Sequence, residues 1–247
     1  MKNSFGNNLA IVNLHKNRSL KSGIDTQLLY GDNFKVIKKY GAWKKIKIKK
    51  DGYIGYIKSK KFSKPIKANS KVSVLKASLF SKPSLKKRIK KHLPYESRLR
   101  ITKKNGKFSK FGKYWIKNSD LKKNNFKHRN IFKDIKLFKN TRYLWGGKSY
   151  KGIDCSALVQ VFFNQNNKYC PRDSKDQEKY FKRKIKLKNI RKNDLIFWKG
   201  HVAIALSKKK LIHAYGPMKK VVTMDIKSTI ERIKKTANLE VTSVRRF

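Results

Sequence analysis

The stretch from Thr141 to Phe163, TRYLWGGKSYKGIDCSALVQVFF, limits what this chain can fold into more than any other. Leu158, Val159, Phe162 and Phe163 recur at helical spacing, which predicts an amphipathic helix packed on a core. Asp154 suits the N-cap and so puts Cys155 in the first turn. Unpaired N–H groups and the helix dipole favour a negative sulfur there, and the thiolate is the nucleophilic form of cysteine. The expectation is a thiol of lowered pKa at the start of a buried helix. A lone cysteine in that place is more often a small apolar residue, so chemistry depends on what the rest of the chain brings to it.

Upstream the texture is that of short strands. QLLY at 27–30, FKVIKKY at 34–40, WKKIKIK at 43–49 and YIGYI at 53–57 are separated by turn signals, with Asp51-Gly52 a hairpin turn. Strands at this density, with no helix signal, predict a small barrel that resembles the bacterial SH3-like domain. A diverged second copy follows from KVSVLK at 71–76 through RLRIT at 98–102 to YWI at 114–116, with lysine-rich 82–92 as a loop. The expected division is a polar leader at 1–22, barrels at 23–66 and 67–123, and a last domain at 124–247. That domain opens on a helical stripe of Ile131, Ile135 and Phe138, with Phe132 beside it, and carries the cysteine helix. After CPRDSKDQ at 170–177 come strands at 193–198, 201–206 and 211–216, then VVTMDI. A basic helix near 228–235 and a final strand complete an α+β order.

Charge says little about purpose. The formal net charge is +52, from 66 Lys+Arg against 14 Asp+Glu, yet the basic residues are scattered along the chain. Scatter fits a drift in composition better than a dedicated footprint for nucleic acid, anionic membrane or acidic glycan, so nucleic acid is expected to bind only non-specifically. Cys155 and Cys170 are too few for a disulfide framework and lack zinc-ligand spacing, so reduced thiols and no cofactor are expected. Leu9 to Leu14, interrupted by Asn13, is too short for a secretory segment, and no stretch approaches membrane-spanning length. These signs point to the cytoplasm.

A cysteine nucleophile needs a base, and the base needs an orienting partner. Of the five histidines, His15, His92 and His128 lie in polar, lysine-rich surroundings and read as surface residues. His201 and His213 sit in apolar strands, an expensive place for imidazole without a partner. An odd loop between the two strands puts both rings on one side of a hairpin; an even loop separates them. Ala203 and Ala205 would leave room on that side for the cysteine helix. The result would be Cys155 as nucleophile, His201 as base and His213 as its orienting partner, with N–H groups at the helix start as oxyanion hole.

YLWGGKSYKGIDCSALVQ, CPRDS, DLIFWKGHVAIAL and LIHA, in that order, resemble the NlpC family of bacterial cell-wall cysteine peptidases. The resemblance is close over about 141–215 and weaker over the whole chain, because some members carry two SH3-like domains ahead of the peptidase. It implies a papain-like domain that hydrolyses the γ-D-glutamyl–diamino acid bond of peptidoglycan stem peptides through a thioester. Cys155, His201 and His213 match the catalytic positions, and Tyr143 a tyrosine near the thiol. Members with N-terminal barrels resemble recycling enzymes that require a free L-Ala amine. Asp32, Tyr53, Asp154, Ser156 and Ser174 would match the residues that cradle it. Ala157 stands where the family has Gly, and Asp32 where relatives often have Glu. The competing expectation is a non-catalytic basic protein that binds nucleic acid or wall polymer.

Overall fold

The computed structural model of the protein describes residues 3–247. The first unit is a six-stranded antiparallel sheet closed around its own core. Its strands are β1 (Ser4–Gly6), β2 (Ile11–His15), β3 (Ile24–Leu29), β4 (Asn33–Tyr40), β5 (Trp43–Ile48) and β6 (Ile54–Lys58), in the order β1-β4-β5-β6-β2-β3. Leu14, Leu28, Phe34, Ile46 and Ile57 fill it. Gly55 is required because a Cβ there would meet Leu14 at 2.9 Å. The polar leader expected at 1–22 is corrected: β1 and β2 are strands of this sheet. Val12 and Leu14 point inward, while Asn13 accepts a hydrogen bond from the Gln27 amide across the β2–β3 pair. The break that Asn13 makes in an apolar run is the period-two alternation of a strand.

The second unit has two small sheets. β7 (Ser70–Val72) lies between β10 (Arg98–Leu99) and β14 (Leu121–Lys123). β8 (Lys76–Phe80), β9 (Arg88–Pro94), β11 (Lys103–Asn105), β12 (Phe108–Phe111) and β13 (Tyr114–Lys117) pair in the order β11-β12-β13-β8-β9. The loop expected at 82–92 is therefore partly strand. Ile89 is half-buried, and Leu93 enters the core. The two units lock through a buried polar cluster. Lys50 Nζ donates to Asp32 Oδ1 at 2.7 Å and to Glu96, and Arg98 lies 3.6 Å from Glu96.

In the last unit the stripe Ile131, Phe132, Ile135 and Phe138 is buried as expected, but only Ile135–Phe138 closes a single 3₁₀ turn. Packing of Phe138 and Phe132 on Tyr95 and Phe162 fixes this segment, not helical hydrogen bonding. After the short pair β15 (Lys148–Ser149) and β16 (Gly152–Ile153) comes α1 (Cys155–Gln165), then α2 (Ser174–Tyr180). A six-stranded sheet follows, built from β17 (Arg183–Ile185), β18 (Leu195–Trp198), β19 (His201–Ala205), β20 (Lys210–Tyr215), β21 (Lys220–Asp225) and β22 (Val241–Arg246), in the order β17-β22-β18-β19-β20-β21. Helix α3 (Ile226–Ala237) joins β21 to the last strand.

The sheet has two apolar faces. α1 shares a core with Val202, Ile204, Ile212 and Ala214. Ala203, Ala205 and Leu211 instead pack with Ile226 and Ile233 of α3. The expectation that the cysteine helix covers the Ala203–Ala205 side is thus corrected: α3 fills that side, and α1 lies on the other. No helix among the described residues is long and apolar enough to cross a membrane.

Candidate active site

α1 begins where the sequence places it. The Asp154 carboxylate caps the helix by accepting from the Ala157 N–H at 2.8 Å, and it also accepts from the Gly146 N–H at 2.9 Å. Gly146 is glycine of necessity: its φ is +72°, and a Cβ would meet the Ile24 carbonyl at 2.1 Å. The first-turn N–H groups of a helix lack intrahelical acceptors. Here Asp154 takes that of Ala157, and that of Ser156 points at the Cys155 sulfur. The N–H of Val202 donates to the same sulfur, so the thiol sits against the residue next to His201.

Across β19 and β20, Ala205 faces Leu211, leaving residues 206–210 between them, an odd number. Both imidazoles therefore lie on one side of the hairpin. His201 Nε2 and His213 Nδ1 are 2.8 Å apart, and the His213 ring stacks on Tyr215 at 4.6 Å. His213 Nε2 lies 3.4 Å from the Met224 sulfur.

The electrostatics correct one expectation. The Cys155 thiol is pushed up to about 12, chiefly by burial and then by neighbouring Asp154; the Val202 and Ser156 N–H groups pull the other way and lose. Burial also holds the His201 imidazole down to about 4. Near neutral pH both the thiol and the imidazole are therefore uncharged. If His201 is the base that takes the thiol proton, activity should persist as pH falls and disappear through about pH 4. A kcat/KM profile whose acid limb lies near the 6.5 of an ordinary histidine would contradict this burial.

A cavity of about 250 Å³ opens beside the thiol, lined by Tyr143, Trp145, Asp154, Ser156, Ser174 and Tyr53, together with Asp25, Arg172 and Asp173. Of the nine residues singled out in the sequence, Cys155, Tyr143, Asp154, Ser156, Ser174 and Tyr53 line this cavity, His201 and His213 lie in the adjoining strands, and Asp32 is elsewhere. It is 3% exposed, accepts from the Leu29 N–H at 2.8 Å, and is bound by Lys50 at the junction with the second unit. Asp25 is the acid that the first barrel brings to the cavity. The strand signal at 27–30 begins earlier, at Ile24, which sets Asp25 into β3. Burial raises the carboxyls of Asp25 and Asp173, with Arg172 opposing in both. Tyr53 donates to Asp173 Oδ2 at 3.3 Å.

Arg172 is the other residue missed. It is 3% exposed and donates to Asp154 at 2.5 and 3.0 Å, to Ser156 Oγ at 2.9 Å and to Thr26 Oγ1 of β3 at 2.8 Å. In a lysine-rich chain one more arginine carries no signal, and only its setting in CPRDS marks it. Asp154 is thereby a helix cap and an ion-pair partner at once. The Gln27 side-chain Oε1 accepts from the Lys148 N–H at 2.8 Å, and the Gln160 amide donates to Asp51 at 3.1 Å, which dock the first barrel on the last unit; Asp25 and Tyr53 are its contribution to the cavity wall. Among the described residues no cluster of side chains has metal-binding character.

Comparison with known proteins agrees with this layout. The NlpC/P60 family matches residues 140–238, and the bacterial dipeptidyl-peptidase Sh3 domain matches residues 14–62. A gamma-D-glutamyl-L-lysine dipeptidyl-peptidase of Bacillus subtilis (strain 168) is 29% identical over 231 residues, covering 84% of this chain and 77% of its own. Dipeptidyl-peptidase 6 of Lysinibacillus sphaericus is 39% identical over 74 residues, 30% of this chain and 27% of its own length. The crystal structure of an NlpC/P60 family protein from Bacillus cereus superposes with a TM-score of 0.83 at 20% identity, covering 99% of both chains.

Proposed function

From the premise that this chain carries an NlpC/P60 peptidase domain behind a bacterial SH3 domain, we propose that it is a thiol hydrolase cutting the γ-D-glutamyl–diamino acid bond of peptidoglycan stem peptides that bear a free N-terminal L-Ala. The observation that carries the substrate class is the charge of the cavity. In a chain of net charge +52, the space beside the thiol is lined by Asp25, Asp154 and Asp173 against Arg172 and Lys175. Asp154 is paired with Arg172, whereas burial raises the carboxyls of Asp25 and Asp173 even though Arg172 opposes it in both. An ammonium group there would gain two partly desolvated carboxylates. The first barrel lines one side of the cavity through Asp25 and Tyr53, the side on which the peptide's amine would end. The names of the two curated relatives support a dipeptide-releasing cut.

The Cys155 sulfur attacks the γ-carbonyl carbon as its proton passes to His201. The oxygen charge that builds is met by the Cys155 N–H, the remaining free donor of the first turn. His201 returns the proton to the departing diamino acid nitrogen, leaving a thioester, and then activates the water that releases L-Ala-γ-D-Glu. On this reading the substrate arises inside the cell when wall fragments are taken up, and the protein would act in the cytoplasm as a recycling enzyme.

The test is incubation with L-Ala-γ-D-Glu-diaminopimelate and its N-acetyl derivative. Release of L-Ala-γ-D-Glu from the free peptide alone is expected, and no release from either would refute the proposal. Asp25→Asn should raise KM for the free peptide roughly 10- to 100-fold with kcat little changed, as loss of a charge-assisted contact to the ammonium predicts. An unchanged KM would remove Asp25 from amine recognition.

A further inference from the structure

We infer that Met224 is a positioning residue whose thioether fixes which nitrogens of the His201–His213 pair carry protons; this rests on the catalytic reading given above. A neutral imidazole has one donor nitrogen and one acceptor, and a thioether sulfur can only accept. His213 Nε2 faces the Met224 sulfur at 3.4 Å, so the proton belongs on Nε2. The opposite tautomer would set a nitrogen lone pair against a sulfur lone pair. With Nε2 protonated, His213 Nδ1 is the acceptor, and His201 Nε2, 2.8 Å away, must donate to it. The remaining nitrogen of His201, Nδ1, is then unprotonated, the form that a base toward the thiol requires.

The strand register makes the contact. Leu211 faces Met224 and His213 faces Val222 across β20 and β21, so Met224 lies diagonally beside His213 on the same face of the sheet. Burial keeps both rings neutral, so a tautomer, and not a charge, must be set here. Carboxylates commonly orient a catalytic histidine and would also stabilise its protonated form. A thioether orients without adding charge, which suits a site that rests as neutral thiol and neutral imidazole. A methionine that merely fills space could be exchanged for any side chain of its size.

The test replaces Met224 with side chains of similar length and different hydrogen-bonding sense. Met224→Lys presents only donors and should drive His213 to its other tautomer, leaving Nδ1 of His201 protonated. A fall in kcat of roughly 100-fold or more with KM nearly unchanged is expected, since a wrongly protonated catalytic histidine is a poor base. Met224→Gln can turn a carbonyl oxygen toward His213 and should retain most of kcat. Imidazole ¹⁵N NMR on Cys155→Ala protein reads the tautomers directly and independently of turnover. His213 should carry its proton on Nε2 with Met or Gln at 224 and on Nδ1 with Lys. A proton on Nδ1 in the protein with Met224 intact, or Lys and Gln variants with equal kcat in a working enzyme, would overturn the inference. Tautomers that move as expected in a protein that never cleaves peptide would support the assignment and fault the catalytic reading instead.

Discussion

Cys155→Ala should abolish release of L-Ala-γ-D-Glu, lowering kcat on the order of 10⁴-fold or more while the protein stays folded. Cys155 lines the cavity at the helix start, and its sulfur is held by the N–H groups of Val202 and Ser156. Replacement by Ala deletes one small buried atom, a modest loss for the core of which α1 is part. The catalytic loss is of another order, because Cys155 is the only thiol lining the cavity. His201→Ala should cost nearly as much, and the double variant little more than either alone, since groups acting as a unit are not additive. Steady-state kinetics on the free tripeptide checks this. Appreciable turnover by Cys155→Ala would move the chemistry to another group and dissolve the thioester scheme.

The second large effect concerns stability. Arg172→Leu should destabilise the protein by about 3–5 kcal/mol in urea unfolding, the range for removing one partner of a buried ion pair. The guanidinium ties together the Asp154 carboxylate, Ser156 and Thr26. Its loss leaves the Asp154 charge, 6% exposed, with only hydrogen bonds from Gly146, Ala157 and Ser156. Asp154→Asn in the Arg172→Leu background should recover part of the loss, because the stranded charge is then gone. Arg172→Lys should fall between, since an ammonium cannot make the bidentate contact and reach Thr26 as well. A loss below about 1 kcal/mol for Arg172→Leu, the range of a surface pair, would show that the guanidinium carries no structural role.

The helix start was legible in the sequence because local signals agreed: an N-cap acid, a helical apolar pattern and a tight glycine turn meet within a dozen residues. The pairing of His201 with His213 was legible up to the parity of one loop, which the register of Ala205 and Leu211 resolves. What escaped depends on long-range contact. Asp25 lies within β3 and Asp32 in the turn that follows it, and only docking of the barrel decides which one meets the cavity and which meets Lys50. The pKa of Cys155 failed for the same reason, since a helix start predicts a lowered thiol and only tertiary burial reverses the sign. The choice between the two sheet faces was likewise hidden, because alanines leave room for either helix.

Strand β3 ends by making recognition and folding inseparable. Its residue 25 offers a carboxylate to the cavity, while residues 26 and 27 bind Arg172 and the Lys148 backbone beneath it. A peptidase unit cut free of the barrel would not become a broader enzyme with an open cleft, for its floor would lose the hydroxyl and amide that complete it. On the proposed reading, acceptance of longer peptides would come from reshaping this strand in place, and not from shedding the domain that bears it.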